Sequence, residues 1–250
     1  MNKLDALRRI IDESSNIVFF GGAGVSTESG VPDFRSENGL YNAVRQYGCG
    51  PEELLSLTFF MANQETFFDY YKNNLIYQDA QPNDAHIALA RLEAAGKVKA
   101  VITQNVDGLH QKAGSQNVLE LHGTVLENYC MDCGKAYDLK YIMDPRHCTG
   151  YTPKCGDCGG VVRPAVVLYE EGLPESVINS AISAIEEADT LIVGGTSLVV
   201  YPAAGLVNYF RGKNLILINK SSTQYDQRAN LVINEAIGQV LGQAVTPQPY

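Results

Sequence analysis

The sequence predicts an α/β fold: a doubly wound parallel sheet that carries a small inserted lobe. Three observations support it. Apolar runs of strand length recur along the chain, helix-like stretches separate them, and two longer stretches interrupt the alternation. With 250 residues, 45% of them hydrophobic and 19% charged, the chain is long enough to bury one substantial core and a smaller second lobe.

In chain order, residues 2–13 mix charged and apolar positions in a helical pattern. NIVFFGG (16–22) follows as the first strand, and VKAVITQ (98–104), VLELHG (118–123), ADTLIVGGTS (188–197) and KNLILIN (213–219) repeat its pattern. Near-continuous Val, Ile and Leu marks strands covered on both faces, as in a parallel sheet. Residues 84–95, 175–187, 202–211 and 230–242 are the expected connecting helices. Residues 37–80 hold aromatic-rich helical pieces such as TFFMANQETFFDYYKNNL, with no strand between them, and residues 126–162 hold paired cysteines. Both segments fall between sheet elements. The expected organisation is therefore a discontinuous large domain of residues 1–36, 81–125 and 163–250, with 37–80 and 126–162 forming a small domain. The closing VTPQPY is expected to fray.

The formal net charge is -9, with only 19 Lys and Arg. Nucleic-acid and anionic-membrane binders carry a basic surplus, so neither is expected as a partner, whereas a lysine-rich peptide suits an acidic surface. MNKLDALRRIIDES has no apolar signal core, and the apolar runs fall far short of the roughly 20 residues of a membrane span. A soluble, cytoplasmic protein is expected. In such a reducing compartment, six cysteines point to metal or chemistry rather than to disulfides.

The first strand runs into GGAGVSTESG, with Gly22-x-Gly24 and the next glycine at Gly30. The spacing is looser than the dinucleotide fingerprint, but glycines still let the backbone turn sharply and approach a pyrophosphate. Ser26, Thr27 and Glu28 are placed to start a helix whose free N–H groups favour an anion. A tight strand-to-helix turn without a ligand fits the same residues. No acidic residue ends a second strand about 20 residues on, where a hydride-transfer fold grips ribose. Instead Asp33-Phe34-Arg35 follows at once, either an ordinary loop or a cover for a bound nucleotide.

Cys130-x-x-Cys133 and Cys155-x-x-Cys158 are separated by residues 134–154, 21 in all, and each pair adjoins glycine in CMDCGK and CGDCGG. Two such knuckles form a tetrahedral four-thiolate site, for which zinc is the expected metal, in a structural role because no coordination position stays open. Cys49, Cys148 and His147 lie outside that pattern. TQNVDGLHQKAG puts Gln104, Asn105, Asp107 and His110 just past the second strand, at the end where open α/β sheets bind ligands. Amides with one carboxylate suit a ribose and a carboxamide. His122 ends the next strand; an imidazole, with histidine's ordinary pKa of about 6.5, is the natural general base, although a single histidine at a strand end is more often structural, and His86 and His110 are left as structural.

Taken together, GAGVSTESGVPDFR, TQNVDGLH, LHG, the cysteine pairs, RPAVVLYEEGLP and GGTSLVVYPAAGL resemble the sirtuin family of NAD-dependent protein deacylases, in family order over nearly the whole chain. The resemblance implies that Gly22, Ala23, Gly24, Thr27, Asp33, Phe34 and Arg35 contact NAD, with Phe34 shielding the reactive face after nicotinamide leaves. It places Gln104, Asn105, Val106 and Asp107 around the nicotinamide ribose, and Gly195, Thr196, Ser197 and Asn219 around the adenosine half. His122, Asn105 and Asp107 become the catalytic residues. The acyl-lysine peptide lies extended between Val166, Val167, Leu168 and Tyr169 on one side and Val199 on the other, as an added strand. The implied reaction starts with attack of the acyl oxygen on the anomeric carbon as nicotinamide departs. His122 then deprotonates the ribose hydroxyls, and the acyl group is transferred to ADP-ribose. One structural zinc and NAD as co-substrate complete the set.

Two departures stand out. Glu170 occupies a position where the family usually has glycine, a change that either favours basic substrate flanks or points into solvent. Relatives that remove succinyl groups carry Tyr-x-x-Arg in the small lobe, whereas Tyr70 here is followed by Asn73, so acetyl and other neutral acyl groups are expected. The alternatives are a mono-ADP-ribosyltransferase or NAD hydrolase on the same scaffold, a zinc-ribbon module binding nucleic acid, and a dehydrogenase.

Overall fold

The computed structural model describes residues 2–33 and 37–245. Its helices are α1 (Lys3–Glu13), α2 (Ala23–Ser26), α3 (Glu37–Tyr47), α4 (Pro51–Leu54), α5 (Leu57–Ala62), α6 (Gln64–Asn74), α7 (Asp84–Ala94), α8 (Leu109–Ala113), α9 (Leu139–Met143), α10 (Glu175–Glu187) and α11 (Ile237–Ala244). Its strands are β1 (Ile17–Gly21), β2 (Val98–Thr103), β3 (Val118–Glu120), β4 (Gly123–Cys130), β5 (Ala136–Asp138), β6 (Cys148–Thr149), β7 (Thr152–Pro153), β8 (Val162–Val166), β9 (Thr190–Gly194), β10 (Asn214–Ile218) and β11 (Leu231–Ile233).

Six strands form one parallel sheet in the order β11-β10-β9-β1-β2-β3. The chain leaves β1 in one direction through β2 and β3, then restarts on its other side with β9. The strand order reverses at that point, and the crevice beyond the carboxyl ends of β1 and β9 is where open α/β sheets bind ligands. All five residues of β1 are buried, because both sheet faces are covered. Val18, Phe20, Ile102 and Leu191 pack towards α10 and a 3₁₀ helix over Ala203–Tyr209. Phe19, Val101 and Ile216 pack on the other face with Leu7, Leu89 and Leu241 of α1, α7 and α11.

A third core lies apart from the sheet. Phe60, Phe67, Phe68 and Tyr71 pack ring on ring, Phe60 against Phe67 at 4.8 Å, together with Ile142 and Val162. The antiparallel sheet β5-β4-β8 borders this core and connects it to the large sheet through the turn after β3.

Three sequence expectations need correction. Residues 230–242 are not one helix: β11 takes Leu231–Ile233 and α11 begins only at Ile237. The segment expected as a helix over 202–211 is 3₁₀. The first loop does not start a helix at Ser26: α2 begins at Ala23, directly after Gly22, and ends at Ser26, with a 3₁₀ turn over Thr27–Ser29. The closing residues 246–250 lie outside the described residues. Among the described residues, no helix is long and apolar enough to cross a membrane.

Candidate functional site

The loops after β1, β2, β9 and β10 meet at the strand-order reversal. Close approach is enforced by glycine on both sides. The Gly24 amide donates to the Gly195 carbonyl at 2.7 Å. A Cβ on Gly24 would stand 2.8 Å from the Gly195 backbone, and one on Gly195, at φ 60°, would press into the Val25 amide. Gly22 is packed in the same way against Thr196.

Hydrogen bonds tie the polar string after β2 to these loops. Ser26 Oγ donates to Asp107 Oδ2 at 2.6 Å, and the Leu109 amide donates to Asp107 Oδ1 at 2.9 Å. Asn105 Nδ2 donates to the Gly22 carbonyl at 3.1 Å and to Ser26 Oγ at 3.0 Å. Gln104 Nε2 donates to Thr196 Oγ1 at 3.0 Å, and Asn219 donates to the Thr196 carbonyl. His122 Nδ1 lies 2.8 Å from the Gln104 carbonyl. A carbonyl only accepts, so Nδ1 carries a proton, and in the neutral ring Nε2 is then the basic nitrogen, the tautomer a base requires.

A cavity of about 800 Å³ joins these groups. Ala23, Gly24, Thr27, Asp33, Gln104, Asn105, Val106, Asp107, His122, Gly195, Thr196, Ser197 and Asn219 line it, as do Val166, Val167, Leu168, Tyr169 and Val199. Gly22 is not on the wall; it stands behind it, against Thr196. Phe34 and Arg35 lie outside the described residues. Asn74, Leu75, Tyr77, Lys220, Ser221 and Glu235 also line the cavity, though the sequence did not single them out. Lys220 and Ser221 follow Asn219 at the end of β10, a position that could have signalled them. Glu235 was hidden inside the expected helix. Tyr70 is buried in the small core and Asn73 donates to Asp69, so neither reaches the cavity.

The segment of residues 166–171 is held from behind by Arg163. Its buried guanidinium makes two bonds of 2.9 Å to the Glu171 carboxylate and lies over the Phe60 and Tyr129 rings. Burial pushes the Glu171 carboxyl up, but the Arg163 pair and the Leu168 amide outweigh it and hold the group below its ordinary value. Glu171→Gln leaves a buried cation facing a neutral amide. The expected loss of stability is about 2 kcal/mol after allowing for partial solvent screening, read from urea midpoints. A midpoint equal to the parent's would show that the pair does not hold the segment.

Behind Asp107, His86 and His110 are buried with ring centroids 4.6 Å apart. Burial pushes both pKa values down; the Asp107 charge partly restores that of His86, and His86 further depresses that of His110. The folded state therefore binds fewer protons than the unfolded chain. Stability is complete above the unfolded value of about 6.5 and falls as pH drops below it. Urea midpoints should decline from about pH 7 to about pH 5, and His110→Phe should flatten that decline. An equal slope in the variant would place the acid sensitivity elsewhere.

In the small lobe, the Sγ atoms of Cys130, Cys133, Cys155 and Cys158 all lie within 4.8 Å of one another. Cys130 and Cys158 are 3.4 Å apart, and Cys133 and Cys155 3.7 Å. The edge of a tetrahedron with Zn–S bonds of about 2.3 Å is about 3.8 Å, so four thiolates around one zinc fit this arrangement. Tyr137 Oη stands 2.9 Å from Cys155 Sγ and accepts from the Gly156 amide. Cys49, Cys148 and His147 are not part of the cluster.

An open α/β sheet with a loop-lined crevice at its strand-order reversal, carrying a four-thiol lobe, defines the class: a nucleotide-binding fold with a structural metal module. The chain belongs to the Sir2 family, whose model matches residues 22–202. It is similar to an NAD-dependent protein deacetylase of Clostridium perfringens, 62% identical over 245 residues, 98% of this chain and 99% of that one. A second NAD-dependent protein deacetylase, from Clostridium acetobutylicum, is 59% identical over 241 residues, covering 96% and 97%. Among solved structures, a histidine-to-alanine variant of Sir2 with a deacetylated p53 peptide and 3′-O-acetyl ADP ribose matches with a TM-score of 0.87. Its identity is 36%, over 98% of this chain and 100% of that one.

Proposed function

We propose that the protein is an NAD-dependent deacetylase of protein lysine side chains, transferring the acyl group to ADP-ribose and releasing nicotinamide. The carrying observation is the single cavity that joins the glycine loop, the Gln104–Asp107 string, His122 and the 166–169 segment.

Ala23, Gly24, Thr27 and Asp33, backed by Gly22, hold the diphosphate and nearby ribose. Gly195, Thr196, Ser197 and Asn219 take the adenosine half. Gln104, Asn105, Val106 and Asp107 line the nicotinamide ribose, with Asn105 and Asp107 held in register by Ser26. NAD supplies the electrophilic anomeric carbon and the departing nicotinamide. His122 Nε2 takes the proton from a ribose hydroxyl, and the Gln104 carbonyl on Nδ1 steadies the charged ring. The peptide runs between residues 166–169 and Val199. The N–H groups of Val167, Leu168 and Tyr169 are committed to His122, Glu171 and Leu55, so backbone pairing falls to the Val167 carbonyl and the Val199 side. Acetyl is the first substrate, with longer neutral acyl groups after it. One zinc on the four cysteines stabilises the small lobe.

We divide the chain into a large domain of residues 1–36, 81–125 and 163–250 and a small domain of 37–80 and 126–162, with the substrate cleft proposed between the sheet and the insertions. A cytoplasmic location, with neither nucleic acid nor membrane as partner, accords with the acidic balance.

The test is incubation with an acetyl-lysine peptide, with and without NAD, following peptide and nucleotide masses. Loss of the acetyl mass only with NAD, matched by nicotinamide and acetyl-ADP-ribose, is expected. Nicotinamide release from a peptide that stays acetylated would instead indicate ADP-ribosyl transfer or NAD hydrolysis.

A further inference from the structure

Glu170 adopts a backbone that side chains disfavour, with φ 76°. Its surroundings account for that. Oε2 accepts from the Thr58 amide at 2.9 Å and from the Thr58 hydroxyl at 2.7 Å. Beside it, the Tyr169 amide donates to the Leu55 carbonyl and the Leu57 amide donates to the Tyr169 carbonyl, both at 3.0 Å. The carboxylate is therefore fixed at the cavity wall by two bonds of its own and two of its neighbour's, across the junction between the 166–169 segment and α5.

Among the described residues, Oε1 of the same carboxylate has no hydrogen-bond or ion-pair partner. The adjacent Glu171 is different: both its oxygens are taken by Arg163, and one also by the Leu168 amide. Two neighbouring carboxylates thus have separate tasks, one neutralised behind the segment and one presenting a charge at the cavity. The Thr58 bonds also hold the Glu170 carboxyl below its ordinary value, which keeps it ionised at neutral pH.

We propose that Glu170 is a specificity residue whose fixed carboxylate pairs with a Lys or Arg side chain flanking the acyl-lysine, so that basic protein segments are taken in preference to neutral ones. The proposal rests on the deacetylase function proposed above. An exposed ion pair ordinarily gains little, because two flexible side chains must be ordered to form it. Here one partner is already ordered, which removes part of that loss. The chain's net charge of -9 favours any basic peptide at long range, but it does so without regard to position.

The experiment compares acetyl-lysine peptides that differ only in their flanks, Arg or Ala, on the parent protein and on Glu170→Gln. The glutamine keeps an oxygen for both Thr58 donors while removing the charge. For the parent, KM for the Ala peptide should exceed KM for the Arg peptide by about five-fold. In E170Q that ratio should fall towards one, leaving only the small preference that the remaining net charge gives any basic peptide. Equal KM values for the two peptides in the parent, or an unchanged ratio in E170Q, would overturn the proposal. If no peptide is deacetylated, the functional assignment fails separately. Fluorescence anisotropy of the same labelled peptides with NAD present then decides on Glu170, with equal Kd for Arg and Ala flanks counting against it.

Discussion

His122→Ala is expected to lower kcat/KM for deacetylation by about a thousand-fold, the contribution of a well-placed general base. The expectation follows from geometry. The Gln104 carbonyl fixes the proton on Nδ1, and no other imidazole lines the cavity among the described residues: His86 and His110 are buried behind Asp107, and His147 lies in the small lobe. The proposed NAD contacts are spread over several loops that line the cavity, so the dissociation constant for NAD should change far less than turnover does. Calorimetric titration of the variant separates the two effects. Retention of more than about a tenth of parental kcat/KM would remove His122 from the role of base.

Loss of zinc is the second large effect. The module around the four thiols has a three-stranded sheet and two two-residue strands, and its buried apolar side chains, such as Ile142 and Val162, pack with the aromatic core of α5 and α6 rather than forming a core of their own. Such a module depends on its metal, and structural zinc in small domains contributes on the order of 10 kcal/mol. Cys155→Ala, or prolonged chelation, should release one zinc per chain and expose residues 131–160 to proteolysis. Activity should fall as well, because β4 runs from beside His122 to Cys130 and pairs with β8, which leads into the 166–169 segment. A chelated protein with parental melting and cleavage behaviour would show that the cysteines hold the lobe without metal.

The parallel sheet was legible because each central strand is buried on both faces and so reads as an unbroken apolar run. β11 was not. Three residues at a sheet edge carry too little pattern, and Leu231, Val232 and Ile233 join smoothly onto the apolar positions of α11. Misplacing that strand also concealed Glu235. The cysteine cluster was legible from spacing alone, since a knuckle's geometry is local. Contacts between distant residues were not: Ser26 with Asp107, His122 with Gln104, and Glu170 with Thr58 are separated by 81, 18 and 112 positions. No local pattern encodes them. In sequence alone Glu170 either favours basic substrate flanks or points into solvent, and only the fold brings Thr58 to fix it.

The Gly24 amide on the Gly195 carbonyl joins two loops that sit more than 160 residues apart in the chain. Neither has room for a side chain at the contact. The two loops are thus one interchangeable part rather than two. A chimera that borrows residues 21–30 from a relative must borrow 194–198 with them, and lengthening either loop by itself would disturb the cavity wall that both loops form.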